Sequence, residues 1–302
     1  MSNPVISIAI TTFNRWTSCL QAVRAVSKST YKHIEIILVD DASSDSPPTE
    51  IFNELSLHCA KFIRHPVNMG LASARNTALE ASTGDYFSFC DDDDIWPSTL
   101  AEAFVRSLTY SDANVVIALP KLYQKSWYHL FPSLPTLKEI MYAGVTPPVS
   151  GQAYRSCVLK KIGGYNPIIK SGVDHDLWIS LTTINPLVSV AWGIVPITNT
   201  DSSVSRLTTL ETSRRQGISH SLEAWQPLLT RNFSIDFYIH FCMCYQQYLD
   251  FRFLQFSIQR SDWLNVFLRF YKAPYLGLFC LIKVFKKYFG YRTCNQFKSF
   301  QP

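Results

Sequence analysis

The residues most able to do chemistry in this 302-residue sequence are four adjacent carboxylates, Asp91, Asp92, Asp93 and Asp94. Neighbouring carboxylates repel one another unless a cation sits among them. Hard oxygen donors of this kind suit Mg²⁺ or Mn²⁺ held together with a phosphate-bearing substrate. The plainer alternative is a solvated acidic turn, since runs of like charge often just face water. A second acidic pair, Asp40 and Asp41, ends another apolar run and favours the metal reading if the two runs are neighbours. A further carboxylate, Asp174, opens an apolar helical pattern through Trp178, where it could serve as a base or as a helix N-cap.

The elements around these carboxylates are legible from periodicity. Val5–Ile10 and Ile34–Val39 are apolar, β-branched runs of the kind found inside parallel sheets. Helical spacing follows each, through Leu20, Val23 and Val26 and then near 49–59. A short strand at 61–64, a helix at 72–82 and a strand at 86–90 complete a β-α-β-α-β-α-β series. That series predicts an α/β fold with a doubly wound, mostly parallel sheet, whose ligands bind at the C-terminal ends of the strands. Beyond it the pattern predicts a helix at 98–109, a strand at 115–119, a loop-and-short-helix excursion at 120–148, and a strand at 150–155. Helices at 156–162 and 174–182 follow.

Composition narrows the class. The chain is 47% hydrophobic and 17% charged, with 16 Pro and 11 Gly, which excludes disordered, collagen-like and disulfide-dense chains. The eight cysteines form no CxxC pair, so reduced thiols in a cytoplasmic protein are expected and a structural zinc is not. The N-terminus lacks signal-peptide features. No GxGxxG follows the first strand and no GxxxxGK[ST] occurs, which removes the dinucleotide and P-loop readings. Residues 231–302 hold half of the aromatic residues and a net charge of +7, against +5 for the whole chain. Trp263–Tyr271 and Leu278–Phe289 read as apolar helical stripes, with Lys283, Lys286 and Lys287 on another side. The longest uncharged run within 263–302, Ala273–Ile282, is too short to span a bilayer. A basic aromatic tail of this kind predicts peripheral membrane contact through 263–302 and no nucleic acid, the plainer alternative being a basic helical cap packed on the core.

Six segments in order carry a family resemblance: Thr11–Arg15 (TTFNR), Val39–Asp45 (VDDASSD), Asn68–Asn76 (NMGLASARN), Gly84–Tyr86 (GDY), Cys90–Trp96 (CDDDDIW) and Asp174–Trp178 (DHDLW). Together they resemble the family 2 nucleotide-sugar glycosyltransferases over roughly residues 4–210. The resemblance implies a GT-A fold and an inverting, metal-dependent transfer from a nucleoside-diphosphate sugar, with a UDP-sugar favoured. The acceptor is then a hydroxyl of a glycan, expected to be lipid-linked, in surface polysaccharide biosynthesis at the inner face of the membrane. It assigns Thr11, Phe13, Arg15, Asp41 and Arg75 to the nucleotide and diphosphate. Asp91 goes to the ribose or sugar and to the metal, Asp93 to the metal, and Asp174 to general-base catalysis, with His175 as an alternative base. Phe13 replaces the usual Tyr, which keeps stacking but loses a hydroxyl; core packing is the other reading of this residue. Arg75 could equally be a structural salt bridge. Asp201 stands where the family often has a metal-binding His, and Val173 replaces the Glu that usually precedes the base. These two departures favour the rival reading, a catalytically silent binding module. The resulting division is a GT-A domain at 1–215, with a nucleotide-sugar half at 1–110 and an acceptor half at 111–215, followed by a helical extension at 216–302.

Overall fold

The computed structural model describes residues 3–142, 148–198, 211–235 and 238. The chain divides into two compact units, Met1–Arg206 and Leu207–Pro302.

The first unit is built on β1 (Ile6–Thr12), α1 (Trp16–Ser27), β2 (Ile34–Asp40), α2 (Thr49–His58), β3 (Lys61–Arg64), α3 (Leu71–Ala81) and β4 (Tyr86–Asp91). It continues with β5 (Asp94–Ile95), α4 (Leu100–Thr109), β6 (Val115–Leu119), α5 (Gln124–Leu130), α6 (Leu137–Tyr142), β7 (Gln152–Arg155), α7 (Ser156–Lys161), α8 (Val173–Leu181), β8 (Val188–Trp192) and β9 (Ile197–Thr198). Among the described residues one sheet has the order β3-β2-β1-β4-β7-β6-β8. All its pairings are parallel except those of β7, which runs antiparallel to both β4 and β6. The expected strand at 150–155 begins as a 3₁₀ turn over Val149–Gly151 before β7. Sequence alternation alone does not reveal that turn or the reversed direction.

Strand parity sorts the core into two layers. Ile6, Ile8, Ile10, Tyr86, Cys90, Val116 and Ala118 pack with α1, α2 and α4. Ala9, Phe87, Phe89, Val115 and Ile117 pack with α3, α7 and α8. Successive side chains of a strand point to opposite faces, so the sheet is buried on both faces at its central strands, which read as nearly continuous apolar runs interrupted by the buried Ser7, Glu35 and Ser88. β6 runs parallel to β4, because two antiparallel steps through β7 restore the direction. The C-terminal ends of β1, β2, β4, β6 and β8 therefore share one edge.

The second unit is described through α9 (Glu211–Asn232) and the few residues after it. Ile218, Trp225 and Leu229 are buried at helical spacing on one face of α9. The expected tail contact at 263–302 and the metal-ligand candidate Asp201 lie outside the described residues. No helix among the described residues is long and apolar enough to cross a membrane.

Candidate active site

The shared edge collects the acidic residues in register. Thr12 lies opposite Asp40 on β2, and Thr11 lies opposite Asp91 on β4. The strand parity that sorts the core also sorts the acids. Asp91 continues the odd series of Phe87 and Phe89 toward the layer of α3 and α8, and Asp92 continues the even series of Cys90 toward the layer of α1.

Each layer answers with an arginine. On the α3 side the buried Arg75 donates from Nη2 to Asp91 at 2.8 Å and from Nη1 to Asp174 at 2.5 Å. Its guanidinium lies over the rings of Phe89 and Tyr165, 5.3 Å from each centroid, a favourable place for a desolvated cation. Burial works against its charge, but Asp174, Tyr165 and Asp91 more than offset that and raise its pKa further. On the α1 side Arg15 pairs with Asp92 and reaches Asp93 at 3.7 Å. Thr12 adds a hydroxyl donated to Asp92 at 2.8 Å. Burial pushes the Asp91 carboxyl up to about 6 even with Arg75 beside it. It pushes Asp92 up to about 7, against the opposing pull of Arg15 and Thr12.

Asp92 and Asp94 are buried, whereas Asp91 and Asp93 are partly open to solvent. This alternation leaves two carboxylates for an outside ligand and turns two inward as supports. Two oxygen donors at a strand end fit a hard divalent ion in chemical type. Among the described residues no three His, Cys, Asp or Glu side chains converge on one point, so such an ion would complete its shell with phosphate oxygens, water or a further residue. β9 pairs with β5 through Asp94 opposite Thr198.

Asp174 sits in the first turn of α8, its side chain 44% exposed. The helix starts one residue earlier than periodicity suggests, and its N-cap is Gly172, in a left-handed conformation at φ 76°. Asp174 is therefore not the N-cap, and its carboxylate is held from the side by Arg75. His175 is half-buried on the same turn.

The nucleotide candidates occupy the β1 and β2 ends. Phe13 is 43% exposed, too open for core packing. Asn14, at φ 57°, ties the two loops together: its backbone N–H donates to Ser43 Oγ and its side-chain oxygen accepts from the Ser44 N–H. Thr11, near the end of β1, is buried. Asp41 is buried and already well used. Its Oδ1 accepts from His65 Nδ1 at 2.7 Å and from the Met69 N–H at 2.8 Å, while Oδ2 accepts from the Gly70 N–H at 2.8 Å. A carboxylate has about four lone-pair directions, so one remains. Asp41 thus also anchors the loop that launches α3 and, with it, Arg75.

Several participants escaped sequence reasoning. Tyr165 is clamped by Asn76, which accepts from the Tyr165 N–H at 2.8 Å and donates to its carbonyl at 2.7 Å. Adjacent positions on α3 thus supply the cation and the hold on the ring that covers it. Gly164 makes this possible: at φ +74°, an added Cβ would lie 2.5 Å from Asn76 Oδ1. His65, bridging Asp41 and the Thr77 hydroxyl, gave no signal beyond its residue type. The Arg75–Asp174 contact joins residues 99 apart in the chain, a pairing only the fold creates.

An open α/β sheet binds its ligands at the C-terminal edge of the strands, where this chain gathers its acidic residues and two arginines, and comparison with known proteins specifies the family. The Glycosyl transferase family 2 model matches residues 7–160, and the chain belongs to that family. A putative colanic acid biosynthesis glycosyl transferase of Escherichia coli is 27% identical over 188 residues, 60% of this chain and 67% of that protein. The chain spans only 32% and 27% of the length of two rickettsial glycosyltransferases it matches. Among solved structures, the mannosyltransferase PcManGT from Pyrobaculum calidifontis, in complex with GDP-Man and Mn²⁺, superposes with a TM-score of 0.60 at 17% identity, covering 96% of this chain and 89% of that one. S. aureus TarS 1-349 in complex with UDP superposes with a TM-score of 0.53 at 17% identity, covering 76% and 72%. The fold is GT-A.

Proposed function

We propose that this chain is an inverting, divalent-metal-dependent glycosyltransferase that moves a sugar from a nucleoside-diphosphate donor to a hydroxyl of a glycan in surface polysaccharide biosynthesis. The observation that carries the proposal is the Arg75 bridge, which holds a half-exposed carboxylate, Asp174, at a fixed offset from the acidic strand end at Asp91. Inverting transfer needs that layout, a base on the acceptor side and a diphosphate site opposite.

In this reading Phe13 stacks on the nucleotide base, and Thr11 and the remaining lone pair of Asp41 contact its polar edge. Asp91 faces the ribose or sugar, while Asp91 and Asp93 would hold Mn²⁺ or Mg²⁺, with Asp201 as a further candidate ligand. When bound, the ion would neutralise the charge that develops on the departing diphosphate. Asp174 accepts the proton of the acceptor hydroxyl as its oxygen bonds to the anomeric carbon, and the bond to the diphosphate breaks on the opposite face. Arg75 positions Asp174 and is a positioning residue. Arg15, paired with Asp92, steadies the acid cluster at the edge of the diphosphate site. A UDP-sugar donor, a lipid-linked acceptor and peripheral contact through 263–302 at the inner face of the membrane complete the proposal.

A panel of nucleotide sugars with and without Mn²⁺ tests it. Release of the nucleoside diphosphate from one donor, dependent on Mn²⁺ and increased by a glycan acceptor, is the expected result. Tight nucleotide binding without any turnover would instead make the chain a silent binding module.

A further inference from the structure

We propose that residues 121–134 form a docking surface for an anionic lipid bilayer, separate from the tail and beside the active-site edge. The segment leaves β6 at Leu119 and passes through a 3₁₀ turn, Lys121–Tyr123, into α5. β6 ends on the same edge as Asp91 and is two strand spacings from β4, about 10 Å along the sheet.

Trp127 and the half-buried Phe131 anchor the segment, Tyr128 leans one side of its ring on Trp192 at 6.0 Å, and the remaining apolar side chains face out. Trp127 is buried, with its ring 4.8 Å from Phe131 and 5.8 Å from Trp192 of β8. Around that anchor Leu122 is 74% exposed, Tyr128 57% and Tyr123 53%, with Leu130 and Leu134 also open. A soluble surface normally scatters such side chains singly, and five exposed large apolar residues within thirteen positions mark a candidate interaction site.

The chemistry favours a lipid occupant. Lys121, Lys125 and His129 are exposed among the apolar residues, and no Asp or Glu occurs anywhere from 113 through 138. Aliphatic leucines offer nothing to the hydroxyls of a soluble glycan, but they enter an acyl boundary readily. Tyrosines suit the headgroup level, and lysines are attracted to an anionic leaflet. A membrane held at this face would present lipid-attached hydroxyls to the same edge that carries Asp91 and Asp174. The binding itself does not depend on the glycosyl-transfer reading.

Hydrogen exchange of the full chain, read peptide by peptide, tests the proposal with phosphatidylglycerol-containing vesicles, phosphatidylcholine vesicles and no vesicles. The expected result is slowed exchange across 121–134 with the anionic vesicles and much less with the neutral ones. The double variant Leu122→Asp, Tyr128→Asp, two exposed positions outside the catalytic machinery, should remove that local protection. It should also weaken vesicle binding of the full chain by at least about tenfold. Vesicle binding with protection confined to other segments, 263–302 included, would overturn the proposal. So would the absence of vesicle binding, or protection of 121–134 by a soluble protein or glycan but not by vesicles.

Discussion

Replacing Arg75 probes the site at the point where stability and chemistry meet. The side chain is fully buried, donates charged hydrogen bonds of 2.5 and 2.8 Å to Asp174 and Asp91, and lies against two aromatic rings. Breaking a buried ion pair by removing one partner costs about 3–5 kcal/mol. Here the stranded carboxylates are 44% and 35% exposed and can rehydrate, so Arg75→Met should sit at the lower end, about 3 kcal/mol. For a unit of this size that is a fall in Tm of roughly 6–12 °C. Arg75→Lys retains the charge, but one ammonium cannot serve two carboxylates held by the two ends of a guanidinium. It should cost less stability while lowering kcat on the order of 10²-fold, the smaller value expected for mispositioning a general base. Thermal melts and steady-state turnover of Arg75→Lys, Asp174→Asn and the double variant separate the effects. If Arg75 acts through Asp174, the lysine variant adds little once Asp174 is gone. Wild-type turnover in Arg75→Lys, or losses that multiply in the double variant, would refute this reasoning.

Phe13→Ala should weaken nucleotide-sugar binding by about 1–3 kcal/mol, the range for loss of one base–aromatic stack. Phe13→Tyr should bind at least as well as wild type, and calorimetry with the donor checks both. Asp93→Ala should abolish the rise in Tm that Mn²⁺ plus nucleoside diphosphate gives the wild-type protein, with little change in the Tm of the metal-free protein, since Asp93 is not among the buried supports. Gly164→Ala forces a side chain into a left-handed backbone and against Asn76. It should cost about 2–4 kcal/mol by denaturant unfolding and lower kcat through the loosened Tyr165, whereas Gly163→Ala, with nothing within 4 Å, should cost about 1–2.

Much of the fold is written in local pattern. The β-branched runs at 5–10 and 34–39 are almost wholly apolar because both faces of the sheet are covered, and Asp40 and Asp91 mark strand ends because the apolar runs stop there. The six family segments lie at those ends and turns. What local pattern cannot express is register. The pairing of Asp92 with Arg15 and of Asp91 with Arg75 follows from which face each acid takes at the end of β4, and that of Arg75 with Asp174 from the packing of α3 and α8 on one face of the sheet. The antiparallel course of β7 is equally invisible, since Gln152–Arg155 has the composition of a strand running either way. Asp41 illustrates a further limit: its type and position suit a ligand contact, yet three of its acceptor directions hold the 65–70 loop. The exposed leucines and tyrosines of 121–134 look like ordinary core formers until the fold leaves them outside.

Turnover of Asp174→Asn, measured beside its affinity for the donor with Mn²⁺, bears most directly on the account. Asn preserves the shape and a hydrogen-bond acceptor for Arg75 but cannot take the acceptor's proton at neutral pH. Donor affinity within about twofold of wild type, with kcat for transfer reduced by at least about 10², is the result predicted for a general base. Unchanged kcat would contradict the assignment of Asp174, and with it the proposed mechanism.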